Sequence, residues 1–423
     1  MKTDIAVVGS GLAALTAVRA LRKAGREVTL VWPGLTSLYF LAATVDVLGY
    51  ADAGAGEAVD NPSDGVARLI ADHPDHPYAR AGLPALQAGL ALLLEWCKEA
   101  GLDWQGSATR NLLLPTATGT PKPSCLVPVT MAAGDLNDPT PIVLCGFTGY
   151  QDFAPELAAS NLQRSWVKGE GRVTAVRIAL PGFKTDRLFT SIDIARRFEE
   201  PAFVSEVGER LRAAIPAGPL RIGVPAVLGL TRRTRDIHAA VTAAAGHPVF
   251  EIPTLPPSVP ALRLFDRLRK QLQETGTELI WAAPAHAADV QGRRCMRISL
   301  KAAGRDQPVE ARAFILALED WVDGAFRAGV HLVREPFFGT VIAEHPKPSD
   351  RAAQSLFSPQ PFAQLGYRVT DHLQPADEAG TPLAENVFIA GGAIAGYDPS
   401  GTKSRGGMAI ATGYRAAQEA LAA

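Results

Sequence analysis

The chain has 423 residues, 47% hydrophobic and 20% charged, which excludes disorder over its length and leaves room for two or three domains. Lys and Arg number 42 against 43 Asp and Glu, and a net charge of −1 gives no global footprint for nucleic acid or anionic lipid. The four cysteines, Cys97, Cys125, Cys145 and Cys295, form no CxxC pair, so a cysteine-held cluster, a metal site or a disulfide scaffold is not expected, and a reduced, cytosolic protein is.

Ile5–Val8 is a short apolar strand closed by Gly9. Gly9-Ser10-Gly11-Leu12-Ala13-Ala14 then opens an apolar helix that stops at Gly25, and Glu27–Val31 follows as a second strand. This is a βαβ unit with a G-x-G-x-x-A turn, a permitted form of the dinucleotide fingerprint. Gly9 allows the tight turn and Gly11 lets a pyrophosphate approach the backbone. Ala14 lets the helix pack closely on the strand, and the helix N-terminus offers N–H groups to phosphate. The acid expected at the end of the second strand is replaced by Trp32, so no carboxylate can hold an adenosine ribose there. Trp32 and Thr36 complete the candidate cofactor contacts of this half.

The chain enters a strand at once, so a secretory leader is not expected, and no apolar run is long enough to span a membrane. Leu83–Trp96 carries Pro84, Gln87 and Glu95 and reads as a buried or amphipathic helix. Between residues 141 and 253 four strands (141–145, 172–180, 220–227, 249–252) alternate with three helices (153–164, 191–214, 231–245), which predicts an inserted α/β domain. Proline-rich stretches, 115–128 and 253–260, flank it. A helix over 259–275, a strand over 277–282 and two alternating strands, 294–301 and 309–318, come next. Residues 330–380 are irregular.

Asn386–Ala390 is an apolar strand, followed by Gly391-Gly392, a loop over 397–405, and Gly406-Gly407-Met408 opening a helix to about Leu421. These glycines are expected to leave backbone room for a flat ring and its phosphate. The fold class expected is α/β: a Rossmann-like flavin-binding domain assembled from discontinuous segments, with an inserted second α/β domain. Its segments are 1–60, 255–325 and 381–423, with 61–140 and 326–380 as cap or connecting segments and 141–254 as the inserted cap or substrate domain.

The segments Asp4–Ala14, His76-Pro77-Tyr78, Gly146–Asp152, Thr254–Val259 with Arg263, Ser358–Phe362 and Asn386–Gly407 resemble the B-subunit family of anaerobic glycerol-3-phosphate dehydrogenases. That family lies in the flavoprotein superfamily of glutathione reductase and fumarate reductase type, and the similarity runs end to end. The resemblance implies a flavin, usually described as FMN, although the fingerprint suits the pyrophosphate of FAD. It also implies an FAD-containing catalytic subunit and an iron–sulfur, membrane-anchoring subunit as partners, at the cytoplasmic face of the membrane. The implied reaction oxidises sn-glycerol 3-phosphate to dihydroxyacetone phosphate and delivers electrons to quinone. The sequence departs from the superfamily at Leu318-Glu319-Asp320, where a small residue and two glycines are usual. An acidic pair there is unfavourable beside a flavin phosphate.

Alcohol oxidation needs a base, and His73 and His76 are the candidates, against a plain turn or cap role. Arg263, Lys403 and Arg405 are the candidate cations for a phosphate. Arg232-Arg233-Thr234-Arg235 reads as a solvated face. Alternatives from other classes are an assembly subunit that keeps the fold without the cofactor, and a flavin dehydrogenase acting alone on another hydroxy compound.

Overall fold

The computed structural model describes residues 1–423 except 35–36, 53–54, 166–172, 185–187, 302–303, 320–323, 345–346, 348–349 and 356–357, and gives no side-chain placement for 37, 38 and 55. Thr36 and Asp320 therefore lie outside the described residues. The chain forms two compact units: residues 1–38, 46–96 and 268–423, and residues 39–45 and 97–267.

The first unit is built on β1 (Lys2–Val8), α1 (Leu12–Lys23), β2 (Val28–Trp32), β3 (Glu278–Trp281), β4 (Ala285–Gln291), β5 (Arg294–Lys301), β6 (Asp306–Leu316), β7 (Val387–Ile389) and α2 (Arg405–Ala422). The sheet runs β3-β2-β1-β6-β5-β4, with β7 also on β6. β3, β2, β1, β6 and β7 are mutually parallel, and β4–β5–β6 is an antiparallel meander. The continuous apolar run of β1 suits a strand covered on both faces: Ile5, Ala6, Val7 and Val8 are fully buried. Val8 pairs with Leu316, and Leu316 with Ile389, so three strands separated widely in sequence end side by side. Helix α1 stops where Gly25 takes φ +78°, with Arg22 and Lys23 in its last turn.

Strand β4 is an element the sequence pattern did not suggest. Its residues, Ala-His-Ala-Ala-Asp-Val-Gln, are mostly half-buried and show no alternation of large apolar side chains. Asn386 ties this meander to β7. Its buried side chain accepts from Cys295 N at 2.8 Å and donates to the carbonyls of Cys295 and Arg312 at 2.9 Å each.

The second unit carries the four-stranded parallel sheet expected of the inserted α/β region, in the order 173–178, 142–147, 221–225, 249–252. Its core gathers Ile142, Leu144, Phe147, Phe198, Leu211, Ile222 and Phe250. The single helix expected over 191–214 is two, Ser191–Arg197 and Pro201–Ala214. Pro201 has no N–H to donate and forces Glu200 to φ −95°, ψ 118°, outside the helical region.

Residues 97–140 group with this sheet rather than with a separate cap, and Arg221 shows why. Its buried guanidinium donates to the carbonyls of Ala133, Asp135, Asp138 and Thr140 at 2.7–3.0 Å. Leu112, Leu114, Val127 and Met131 add a small buried cluster of their own. Residues 330–380 instead join the first unit, where Tyr367 N donates to Ala393 O at 2.7 Å and Ile389 N to Leu373 O at 2.8 Å.

Candidate functional site

The turn between β1 and α1 has the form the fingerprint demands. Gly9 sits at φ +146°, and a Cβ there would come within 2.8 Å of the Ala317 carbonyl carbon. Glycine is required because β6 ends against the turn: Ala317 N donates to Val8 O at 2.8 Å. Ser10, Leu12, Ala13 and Ala14 are buried, and Gly11 caps α1 with no side chain bonded to it.

The two ends of the chain meet at Ala13. A Cβ on Gly391, which takes φ +77°, would lie 3.1 Å from Ala13 Cβ, and one on Gly413 of α2 would lie 3.0 Å from the Ala13 carbonyl carbon. Gly391 N donates to Thr412 Oγ1 at 2.9 Å, joining the end of β7 to α2. Gly392 is half-buried, and Gly406 and Met408 are buried. Gly407 serves a purpose other than the one expected. A Cβ there would strike the Tyr78 hydroxyl and come within 2.7 Å of Val47 Cα, so its small size makes room for protein rather than for a ring. Gly407 N also donates to Asp46 O at 2.9 Å.

At Gly11 the space kept open by the missing Cβ is filled by Glu319. A Cβ on Gly11 would run into Glu319 Oε1 and lie 2.7 Å from its Cδ. Glu319 is 3% exposed, and its Oε2 faces Arg405 Nη1, on the first residue of α2, at 3.5 Å. A carboxylate at a helix N-terminus stands where the phosphate of a nucleotide would stand. The glycine turn suits the diphosphate of FAD, but the Glu319 side chain as placed occupies the space over Gly11 and would have to turn away to admit it.

Trp32 belongs to the strand end. It is 2% exposed, its indole N–H donates to Gly34 O at 2.7 Å, and its ring lies 5.2 Å from that of Trp281 on β3. No ribose-binding carboxylate stands on β2.

His76 is a helix cap. Its Nδ1 accepts from Tyr78 N at 3.1 Å at the start of helix Pro77–Ala81, and its ring stacks on Tyr78 at 5.6 Å. Burial, and then the neighbouring His73, push its imidazole down to about 4. It is neutral at pH 7 and a weak proton acceptor. The Tyr78 hydroxyl donates to Val47 O at 2.5 Å, which accounts for the His-Pro-Tyr segment as a packing device.

Lys403 takes φ +50°, and its carbonyl accepts from Gly49 N at 3.1 Å. Asp398 shapes this loop, accepting from Ser400 N and Gly401 N at 3.0 and 2.9 Å.

Arg263 lies in the other unit. It is bidentate to Glu251 at 2.6 and 2.8 Å and donates through Nε to Gly229 O at 2.7 Å. Glu251 also accepts from Thr130 Oγ1 at 2.7 Å and Leu228 N at 2.8 Å. Burial pushes the Glu251 carboxyl up, but the Arg263 charge and these hydrogen bonds outweigh it and hold the group below its ordinary range. Three N–H groups of Arg263 are thus committed within the protein, and its charge is paired with Glu251, which favours a structural role over phosphate binding. Sequence reasoning missed this pair, although an acid inside the four-residue apolar strand 249–252 is a signal that a buried cation must face it. The specific segments 146–152 and 254–259 meet in the same unit, where Tyr150 Oη lies 2.9 Å from Thr254 Oγ1.

Among the described residues no group of His, Cys, Asp or Glu is arranged to hold a metal ion, and no helix is long and apolar enough to cross a membrane. All four cysteines are buried thiols, and burial raises those of Cys97, Cys145 and Cys295 to about 12.

The FAD binding domain family matches residues 4–407. Its name specifies FAD, and nothing in it supports the FMN expected from the resemblance. The B subunit of the anaerobic glycerol-3-phosphate dehydrogenase of Yersinia enterocolitica is 29% identical over 100% of this chain and 99% of its own. A protein of Halobacterium salinarum with the same name, qualified there as "Probable", is 32% identical over the same shares. Among solved structures, 3-ketosteroid delta1-dehydrogenase from Sterolibacterium denitrificans aligns over 100% of both chains with 11% identity and a TM-score of 0.46.

Proposed function

This chain belongs to the FAD binding domain family and, within it, to the B-subunit family of anaerobic glycerol-3-phosphate dehydrogenases, which are flavin-dependent oxidoreductases, and from that premise we propose that it is the flavoprotein subunit of a glycerol-3-phosphate:quinone oxidoreductase. The observation that carries the proposal is similarity along the full length of both chains, 32% over 441 residues for the Halobacterium relative. The flavin assigned is FAD, and its place is the first unit, at the turn after β1 and the glycines that follow β7. The α/β region of 141–254 is assigned the cap or substrate role.

The complex would convert sn-glycerol 3-phosphate to dihydroxyacetone phosphate and pass two electrons to quinone. Partners would be an FAD-containing catalytic subunit and an iron–sulfur subunit that anchors the assembly at the cytoplasmic face of the membrane. Within it, relaying electrons is the role the side chains favour over substrate oxidation. His76, one of the two candidate bases read from the sequence, caps a helix, and burial pushes its imidazole down to about 4.

A second reading, an assembly subunit that keeps the fold without the cofactor, is favoured by Glu319 over Gly11. The visible spectrum separates the two. The purified full chain is expected to show the absorption band of oxidised flavin, released on heating as FAD by chromatography. A colourless protein that stays colourless after incubation with FAD would overturn the flavoprotein proposal. Turnover of glycerol 3-phosphate by the isolated chain with a dye acceptor would overturn the relay.

A further inference from the structure

We infer that Glu319 is a resident anion in the diphosphate's place, that its side chain must turn out of the space over Gly11 before FAD can seat, and that Arg405 is the cation for which carboxylate and phosphate compete. The inference rests on the flavin reading above.

Gly11 lacks a Cβ at the point where a dinucleotide's diphosphate lies on the backbone of a G-x-G-x-x-A turn. The direction a Cβ would take leads into the Glu319 carboxyl group. The main chain holds the residue there. Ala317 N donates to Val8 O at 2.8 Å, and Leu318 O accepts from Ala393 N at 3.2 Å, so the backbone on the N-terminal side of Glu319 is pinned to β1 and to the turn after β7. The side chain can leave by turning about its own torsions.

The environment at the start of α1 favours one anion: a positive helix end, with Arg405 3.5 Å from Glu319 Oε2. A second anion brought to the same few ångströms meets a like charge with little water between them, and like charges in such a place repel strongly. The carboxylate therefore weakens the hold on FAD, which becomes exchangeable where the usual small-residue turn would retain it. Removing the charge takes away the competitor for Arg405, and truncation to alanine also opens the space over Gly11.

The experiment is a titration of the full chain, stripped of flavin, followed by the quenching of flavin fluorescence. Wild type, Glu319→Gln and Glu319→Ala are compared with FAD and, separately, with riboflavin, which has no phosphate. Circular dichroism checks that each variant is folded, and the alanine variant carries the comparison if the glutamine variant does not fold. The expected result is a Kd for FAD at least tenfold lower in the Glu319 variants, with riboflavin binding unchanged. Adding Arg405→Gln to Glu319→Gln should reverse most of the gain. Equal or weaker FAD binding in the Glu319 variants, with wild type still binding FAD, would overturn the inference and leave the flavin reading standing. Failure of every folded form to bind either flavin would sink the flavin reading and the inference with it.

Discussion

Replacing Arg263 by methionine tests whether this residue is architecture or part of a substrate site. Methionine keeps much of the aliphatic stem and removes the guanidinium. Glu251, whose side chain is 0% exposed, would lose both guanidinium donors and the paired charge, keeping Thr130 Oγ1 and Leu228 N. Removing one member of a buried pair leaves a buried charge without its partner and costs about 3–5 kcal/mol. The compensated double variant, Arg263→Met with Glu251→Gln, keeps a carbonyl oxygen for Leu228 N and carries no buried charge. It should recover about 2 kcal/mol or more of that loss, seen as a coupling energy in a double-mutant cycle. The assay is urea unfolding of the full chain by far-ultraviolet circular dichroism, with the flavin absorption recorded alongside because the pair lies in the second unit. A single variant within about 1 kcal/mol of wild type, or two single losses that simply add, would refute the buried-pair reasoning. Loss of substrate binding with stability intact would point instead to a phosphate contact.

Gly407→Ala should destabilise the chain by about 1–3 kcal/mol, because the new methyl meets the backbone of Val47 and the Tyr78 hydroxyl. Thermal unfolding checks this, and a variant as stable as wild type would contradict the packing described. His76 makes stability depend on pH. Its folded value, about 4, lies below the ordinary 6.5, so the unfolded chain binds more protons as pH falls. Stability should then decline from pH 6.5 towards 4 by up to about 3 kcal/mol, and His76→Asn, which can still cap the helix, should flatten that decline. An unchanged slope would show that the imidazole titrates normally.

The β1–α1–β2 unit was legible because a buried strand, a glycine turn and an amphipathic helix each leave a local pattern. Three strands of the inserted region, 142–147, 221–225 and 249–252, were equally plain as buried, mostly apolar runs, and 173–178 showed by its alternation. Pro201 was visible too, and its power to break the helix outweighs the apolar periodicity on either side. What the sequence could not supply was contact across distance. Leu318-Glu319 stood out as a departure from the usual turn, but nothing local says that its carboxylate reaches Gly11. Gly407 illustrates the same limit: a glycine that admits a ligand and one that admits Tyr78 are identical letters. Arg263 was noticed for its charge, while its partner Glu251 was hidden inside a strand that otherwise reads as pure core.

The meeting of Gly391 and Gly413 with Ala13 has a consequence for synthesis. Helix α1 leaves the ribosome long before α2, the surface that covers it. At about 5–20 residues per second, nearly 400 residues separate the two by roughly 20–80 s. β1 lacks its neighbour β6 until residues 306–316 are made, and α1 lacks α2 for the whole interval. The second unit, by contrast, has its whole parallel sheet within residues 142–252 and can close before the rest is translated. The nucleotide fold is therefore the slow half of this molecule, completed from behind. Truncation of α2 would be felt first at the opposite end of the chain.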